Sequence, residues 1–212
     1  LNLALLALGV AAMSFVVTVG EQVERGVQRD LAGIDLVVGA KGSPLQLILA
    51  GVFHLDGRPA SRDVAAAMGR ALAHRGPDGE GVIADGPVAL AHRRLSIIDV
   101  SDAGRQPRTS NDGRWVITFN GEIYNFQELK PVIERAGGQV RGRTDTEVLV
   151  ESLALWGVGA LEKLDGMFAF ALWDAKRRRL LLARDRAGKK PLFYHDGPKG
   201  FAFASETKAL LA

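Results

Sequence analysis

The pair Asn120-Gly121 follows the alternating run WVITFN and brings together two groups that could serve in catalysis. An asparagine at the end of a strand offers its side-chain amide as a donor. The glycine after it offers a backbone N–H with no Cβ on its own residue. Two donors held in place in this way can stabilise an oxyanion. Asn-Gly is also a common hairpin turn, and taken alone the pair favours the turn.

The composition excludes several classes of site. The 212 residues contain no cysteine, which excludes disulfides and thiolate metal ligands, and we predict no metal site. The net charge of +3 is unevenly placed, because residues 1–56 are net negative and the remainder is net positive. The positive excess is spread out without interleaved aromatic residues, so we expect no nucleic-acid site. The run KRRR at 176–179 predicts a solvated hairpin turn. RDRAGKKPLFY lacks the G-x-x-x-x-G-K-S/T spacing of a phosphate loop, so we expect Lys189 and Lys190 to face solvent or a neighbouring domain.

From Gly51 onward, sheets with segregated helices predict an α+β fold. Helical patterns cover 64–73, 126–136 and 144–156, with Asn125 as the N-cap of the second and Thr144 or Asp145 at the start of the third. HRGPDGEG at 74–81 predicts a loop. Alternating or β-branched runs predict strands at 88–92, 95–99, 115–120, 167–174, 179–184, 192–195 and 201–204.

The front of the sequence differs in character. Residues 1–19 carry no charge and would span ~28 Å as a helix, so they predict a transmembrane helix, with a buried core helix as the alternative. Residues 1–56, chiefly EQVERGVQRDLAGIDLVVGAKGSPLQLIL, resemble the start of an FtsX/MacB-type ABC transporter permease. One helix and a short segment could not transport a solute by themselves.

Seven motifs from residue 50 onward occur in a fixed order: HRGPD, HRRLSIID, FNGEIYNFQEL, RTDTEV, LDGMFAFALWD, RDRAGKKPLFY and ASETKALL. Together they resemble the glutaminase domain of asparagine synthetase, a class II glutamine amidotransferase. The resemblance implies the Ntn-hydrolase fold, a four-layer αββα sandwich, here preceded by the apolar N-terminal helix. It implies domains at 1–46, permease-like, and 47–212, amidotransferase type 2.

The same resemblance implies how L-glutamine is held. The side chain of Asn120 and the backbone N–H of Gly121 form the oxyanion hole. Arg94 pairs with the α-carboxylate, because its guanidinium meets two oxygens at once. Glu122 and Asp145 hold the α-ammonium. Arg94 could also be a surface arginine, and Asp145 could also be a helix N-cap. The wall beside Arg94 is formed by the backbone of Leu95, Ser96, Ile97 and Ile98.

The nucleophile of the family is the thiol of an N-terminal cysteine, whose α-amino group acts as the base. Members of the family begin with M-C-G-I-A-G, and the residues that follow resemble VFHLDGRP. Aligning AGVFHLDGRP with this start places the position of the cysteine at Leu47. Leucine has no nucleophilic atom, and residue 47 is not at the start of the chain. The sequence therefore predicts a glutamine pocket without glutaminase activity, in an inactive fragment or a chimera with a permease segment.

The parent reaction is glutamine hydrolysis that supplies ammonia for ATP-dependent amidation of aspartate in asparagine biosynthesis. We expect no cofactor in this chain, because ATP and magnesium belong to a synthetase domain that the sequence lacks. The amidotransferase part implies a cytoplasmic location, whereas insertion of residues 1–19 would imply the membrane. Two alternatives remain at this point: a membrane-tethered, non-catalytic glutamine-binding module, and a permease fragment.

Overall fold

Two five-stranded sheets form the centre of the computed structural model, which describes residues 34–36, 48–94, 104–198 and 200–212. Sheet A has the order β1-β8-β7-β6-β5, and sheet B has the order β3-β4-β2-β10-β9. The strands are β1 Ile34–Leu36, β2 Ile48–Phe53, β3 Gly79–Asp85, β4 Val88–Arg94, β5 Arg108–Thr109, β6 Trp115–Ile123, β7 Gly166–Asp174, β8 Arg179–Arg184, β9 Phe193–Gly197 and β10 Gly200–Ala204.

Helices cover the outer faces of the two sheets. They are α1 Arg62–Ala71, α2 Phe126–Arg135 and α3 Asp145–Trp156, with 3-10 helices at Gly157–Lys163 and Thr207–Leu211. One core lies between sheet A and α2 and α3, a second between the two sheets, and a third between sheet B and α1. Three apolar layers separate four structural layers, so the predicted αββα sandwich is confirmed. The predicted apolar helix at 1–19 lies outside the described residues.

Strand β6 shows how alternation builds these layers. Trp115, Ile117 and Phe119 belong to the core under the helices, whereas Val116 belongs to the core between the sheets. Because side chains alternate along a strand, Thr118 and Asn120 share the face of Val116. Both are buried, so the last part of this face is polar although it lies inside the sandwich.

Helices α2 and α3 begin next to their predicted caps, whereas α1, predicted at 64–73, begins earlier at Arg62, because Ser61 Oγ caps it by accepting from the backbone N–H of Val64. Thr144 caps α3 by accepting a hydrogen bond at Oγ1 from the backbone N–H of Glu147, at 3.3 Å. Asn125 is the N-cap of α2 by position, but its side chain makes no capping bond. Its amide instead donates to the carbonyl of Lys163 at 2.9 Å and accepts from the N–H of Asp165 at 3.0 Å. Asn125 therefore ties α2 to the segment that leads into β7.

Most predicted strands are confirmed, including the hairpins β7–β8 and β9–β10 with the KRRR turn between β7 and β8. The loop predicted at 74–81 is partly wrong, because β3 begins inside it at Gly79. Residues 79–85 pair with 88–94 over their whole length, and this ladder of backbone hydrogen bonds outweighs the low strand preference of glycine. The strand predicted at 95–99 lies outside the described residues.

The segment before residue 47 supplies β1, which pairs in parallel with β8 in the register Ile34↔Leu180. The predicted boundary between residues 46 and 47 lies outside the described residues, as does the candidate transmembrane helix. In the part of the chain that the structure describes, no helix is long and apolar enough to cross a membrane.

Trp173 of β7 joins the two sheets and should make a large contribution to stability. Its side chain is 1% exposed, its ring centroid lies 5.7 Å from that of Phe53, and its indole N–H donates to Asp85 at 2.8 Å. We expect Trp173→Ala to lower the free energy of unfolding by about 3–5 kcal/mol, because it leaves a large cavity between the two sheets. Val158, which is 57% exposed, provides the control, and Val158→Ala should change the free energy of unfolding little. Equal effects in urea denaturation would contradict this assignment.

Candidate functional site

The predicted site residues that the structure describes lie where β2 begins and where β4, β6 and β10 end. Asn120, on β6, is 2% exposed, and its side-chain amide donates to Ser205 Oγ at 3.4 Å. The backbone N–H of Leu49 donates to the same hydroxyl at 3.2 Å, and the N–H of Ser205 donates to the carbonyl of Leu49 at 2.9 Å. Ser205 therefore fixes the amide of Asn120 beside the first residues of β2. Leu47 itself lies outside the described residues.

Gly121 lies where two strands of sheet A approach closely. It pairs with Phe168 of β7, and a Cβ placed on it would come within 2.1 Å of the carbonyl oxygen of Met167. Any larger residue would push β6 and β7 apart beside Asn120. The Asn-Gly pair is therefore a continuous part of a long strand, and the hairpin-turn alternative is wrong for this protein.

Asp145 and Glu122 bring two carboxylates to the end of β6. Asp145 is the first residue of α3, and its carboxylate accepts from the N–H of Ile123 at 3.1 Å and of Thr146 at 2.7 Å. The N-cap role belongs to Thr144, so Asp145 is not the cap. Burial raises the pKa of Asp145, and the negative charge of Glu122 raises it further, while the two backbone N–H bonds oppose this. The Asp145 carboxylate is therefore harder to ionise in the folded chain than it would be in water.

Arg94 is the last residue of β4 and is half-buried. Its carbonyl accepts from the N–H of Asp78 at 3.0 Å, so the HRGPD loop packs against it. Its guanidinium lies beside Gly104, where a Cβ would come within 2.3 Å of Nη2. Arg94 is thus held at the edge of the site by a close contact with glycine. The predicted wall, Leu95, Ser96, Ile97 and Ile98, lies outside the described residues.

The peptide groups on both sides of Phe119 are held by buried side chains that the sequence did not assign to the site. The N–H of Phe119 donates to Gln106 Oε1 at 2.6 Å, and its carbonyl lies 3.1 Å from His92 Nε2. Because a carbonyl can only accept, Nε2 carries the proton. Alternation in VALAH would have indicated His92, since Val88 and Leu90 lie in the core between the sheets. The sequence around Gln106 gave no such signal.

The burial of Lys190 corrects one part of the prediction that both lysines of RDRAGKKP face solvent or a neighbouring domain, because Lys190 does not face solvent. Lys189 is exposed, but Lys190 is 3% exposed. The loop folds back because the carboxylate of Asp185 accepts from the backbone N–H groups of Phe168, Lys189 and Lys190 at 2.9–3.1 Å. The sequence pattern could not reveal this, because the loop is closed by hydrogen bonds to its own backbone and to that of Phe168 on β7. Within the described ranges no group of His, Asp and Glu side chains is arranged as metal ligands.

Comparison with known proteins agrees with this architecture. A family model described as a glutamine amidotransferase domain matches residues 49–212. Asparagine synthetase (glutamine-hydrolyzing) 3 of Bacillus subtilis is 42% identical over 143 residues, which are 66% of this chain and 23% of that protein. Asparagine synthetase (glutamine-hydrolyzing) 2 of the same organism is 39% identical over 168 residues, which are 77% of this chain and 22% of that protein. The chain thus spans less than a quarter of the length of these relatives.

A solved structure shares the fold. Glutamine phosphoribosylpyrophosphate amidotransferase from B. subtilis, complexed with ADP and GMP, matches with a TM-score of 0.64 and 22% identity. The match covers 77% of this chain and 42% of the other. These comparisons give no support to the permease resemblance of residues 1–56.

The close approach at Gly121 yields a prediction about stability. We expect Gly121→Ala to lower the free energy of unfolding by about 1–3 kcal/mol or more, because the methyl group would overlap the carbonyl of Met167. Gly159 is the matched control, since a Cβ there meets nothing within 4 Å. Thermal unfolding of both variants decides the point, and equal melting temperatures would show that β6 and β7 can separate without cost.

The buried imidazole of His92 yields a prediction about pH. Burial lowers its pKa to about 4, and the nearby charge of Arg94 also lowers it, whereas the bond to the carbonyl of Phe119 acts in the opposite direction. As the pH falls from 6.5 towards 4, the unfolded chain binds a proton at His92 that the folded chain does not bind. Its contribution to folding is therefore complete above pH 6.5, and up to roughly 3 kcal/mol is lost on acidification.

His92→Gln keeps an amide donor near the carbonyl of Phe119 but does not titrate. We expect the unfolding free energy of this variant to fall less steeply than that of the wild type across the same pH window. The measurement is denaturant unfolding of both proteins at several pH values. The carboxylates are the same in both proteins, so their effect on the pH dependence of the unfolding free energy should be equal. Parallel curves would mean that the pKa of His92 is the same in the folded and unfolded chains and that burial does not lower it.

Proposed function

This chain belongs to the glutamine amidotransferase domain family, and from that membership we propose that its site binds free L-glutamine without hydrolysing it. The observation that supports recognition is the convergence of Asn120, Gly121, Glu122 and Asp145 at the end of β6, beside the start of β2. The observation against hydrolysis is chemical, because the sequence contains no thiol.

Recognition needs an anchor for each end of the amino acid. Arg94 pairs with the α-carboxylate, and its planar guanidinium gives this bond direction as well as charge. Glu122 and Asp145 pair with the α-ammonium. Asp145 is already oriented by its two backbone N–H bonds, so little side-chain entropy is lost when the ligand arrives. The carboxamide end of glutamine then extends toward the Asn120 amide and the Gly121 N–H.

Hydrolysis would need a nucleophile beside these donors. An oxyanion forms only after attack on the carboxamide carbon, and the donors at Asn120 and Gly121 lower the energy of that state. Leu47 stands where the family resemblance places the thiol, and its side chain has no lone pair to attack with. The site would therefore hold intact glutamine. Its carboxamide oxygen would accept hydrogen bonds from the donors that, in a hydrolysing enzyme, stabilise the oxyanion of the tetrahedral intermediate.

The relatives are named as glutamine-hydrolysing asparagine synthetases, and this chain covers less than a quarter of their length. We propose that residues 47–212 form the amidotransferase domain of a protein of that class and that residues 1–46 are a separate segment, of which β1 adds an edge strand to sheet A. In the parent reaction, ammonia from glutamine would serve ATP-dependent amidation of aspartate. ATP and magnesium would bind to the synthetase part and not to this domain.

Calorimetry with L-glutamine tests both halves of the proposal. We expect the wild-type chain to bind glutamine and to release no glutamate above the blank rate. Asp145→Asn should weaken binding about 10–100-fold, because it replaces a charge-assisted bond to the ammonium by a neutral one. Asp63→Asn, at an exposed position of α1, is the control and should bind like the wild type.

Three results would count against the proposal. Absence of binding heat at millimolar glutamine would refute recognition. Equal affinities of the two asparagine variants would remove Asp145 from the site. Release of glutamate by purified protein would show that another group replaces the missing thiol.

A further inference from the structure

A cleft lies at the end of the sandwich opposite the proposed glutamine site. Strand β2 begins at that site and ends at Phe53 beside the cleft, which has a volume of about 350 Å³. The described residues that line it combine apolar groups, such as Pro87, with the basic side chains of His54 and of the arginines at 177–179. They include no aspartate and no glutamate. Positive charge therefore surrounds a concave surface of the size that small ligands use.

The turn between β7 and β8, which carries the three arginines, is held in place from beneath. Asp174, 3% exposed, accepts at Oδ1 from the backbone N–H groups of Lys176 and Arg177, both at 3.1 Å. The guanidinium of Arg114 donates to the same oxygen at 2.8 Å. Pairing of Asp174 with Arg179 closes the turn. The backbone that presents the arginines is thus ordered before any ligand arrives, which lowers the entropic cost of binding.

Arg178 has a backbone conformation that its residue type does not favour. Its φ is +53°, in the left-handed region that glycine adopts without a steric cost. Its guanidinium donates to the carbonyl of Gly57 at 3.4 Å, which is long for such a bond. A glycine would suit the turn better, so the turn by itself does not account for an arginine here. A ligand that needs the guanidinium at the rim of the cleft does account for it.

The segment that follows β2 forms another part of the lining and is also fixed. The backbone N–H of His54 donates to the carbonyl of Pro87 at 2.9 Å. Its ring Nδ1 lies 3.2 Å from the carbonyl of Arg58 and 3.1 Å from that of Pro59, so Nδ1 carries a proton. These contacts hold the imidazole at the cleft and join the end of β2 to the turn before β4.

The carboxylates close to the cleft are engaged with other groups. Asp56 pairs with Arg58 at 3.2 Å. Asp85 accepts from the indole N–H of Trp173 at 2.8 Å. Asp174 lies beneath the turn and is 3% exposed. None of these bonds involves the guanidinium groups of the turn, so these carboxylates do not occupy the position that an anion would take.

We propose that this cleft binds a small molecule with two or more phosphate groups, at a site separate from the one for glutamine. A guanidinium meets two phosphate oxygens at once, which gives the bond direction as well as charge. Several guanidinium groups around one concave surface match a ligand that carries several charged oxygens. The apolar part of the lining then contacts the uncharged part of such a ligand.

Inorganic pyrophosphate is the probe, because it carries the proposed charges and nothing else. Calorimetry on the whole chain at low ionic strength should show binding, and the backbone resonances that shift in NMR should be those of residues 54–57 and 176–179. Arg178→Gly should weaken binding about tenfold or more, because it removes one charge-assisted contact. Glycine adopts the φ of this position readily, so the variant should stay folded, which thermal unfolding checks. Arg177→Gln should weaken binding by a similar factor.

Arg135→Gln is the matched control, because this arginine is exposed in the last turn of α2 and the change in net charge is the same. It should bind pyrophosphate like the wild type. An equal loss in Arg135→Gln and Arg178→Gly would show that pyrophosphate responds to net charge alone and would overturn the proposal. Absence of binding, or resonance shifts distributed over the surface without preference for the cleft, would overturn it as well.

The same variants separate this proposal from the proposed function. Arg178→Gly should bind L-glutamine like the wild type, since the two sites lie at opposite ends of β2. A loss of glutamine affinity in a folded Arg178→Gly variant would overturn the assignment of two separate sites. If the wild type binds pyrophosphate at the cleft but not glutamine, the proposed function fails and the anion site stands.

Discussion

The site depends on one constraint: the face of β6 that lies between the two sheets becomes polar before the strand ends, and every polar group there needs a partner. A buried amide or hydroxyl without a hydrogen bond costs about 1–3 kcal/mol. Thr118 meets the constraint by donating to the carbonyl of Ala91 at 3.3 Å, and Asn120 meets it through Ser205. His92 and Gln106 do the same for the Phe119 peptide. These partners come from β4, from the segment before β5 and from the end of β10, so the whole sandwich must be assembled before Asn120 is fixed.

This network also explains why the site lies at one end of the sheets. In the middle of the sandwich, Val116 and Trp173 face apolar residues of sheet B, and a dry core is adequate. Toward the end of β6 the apolar residues give way to Thr118 and Asn120, and the carboxylates of Glu122 and Asp145 follow. Polarity therefore rises stepwise along a single strand, from the closed core to the place where a polar ligand could enter. The fold supplies the gradient because side chains of one face follow each other at every second residue.

Much of this arrangement could be predicted from the sequence, and the failures have a common cause. The strands around Asn120, the two hairpins and the start of α3 follow from alternation and capping, which are local properties. The burial of Lys190, the bridging role of Ser205 and the use of the Asn125 amide depend on residues 17 to 156 positions away or on a folded loop. Local patterns contain no information on such partners. The start of β3 at Gly79 was missed for the same reason, since its ladder with β4 is what makes a glycine-rich segment a strand.

Recognition and catalysis make separate demands on this architecture, and the chain meets them unequally. Recognition needs fixed charges and donors, and the residues proposed to supply them, such as Asn120 and Asp145, also have side chains that hold the strands together. Such residues are constrained by folding even when no reaction takes place, because removing one leaves a buried partner unsatisfied. The nucleophile is under no such constraint, because no buried partner needs a thiol, and the sequence has Leu47 at the position that the family resemblance assigns to it. Under the proposed function, the demands of folding are therefore enough to keep the binding groups in place, whereas nothing in the fold requires the reactive group.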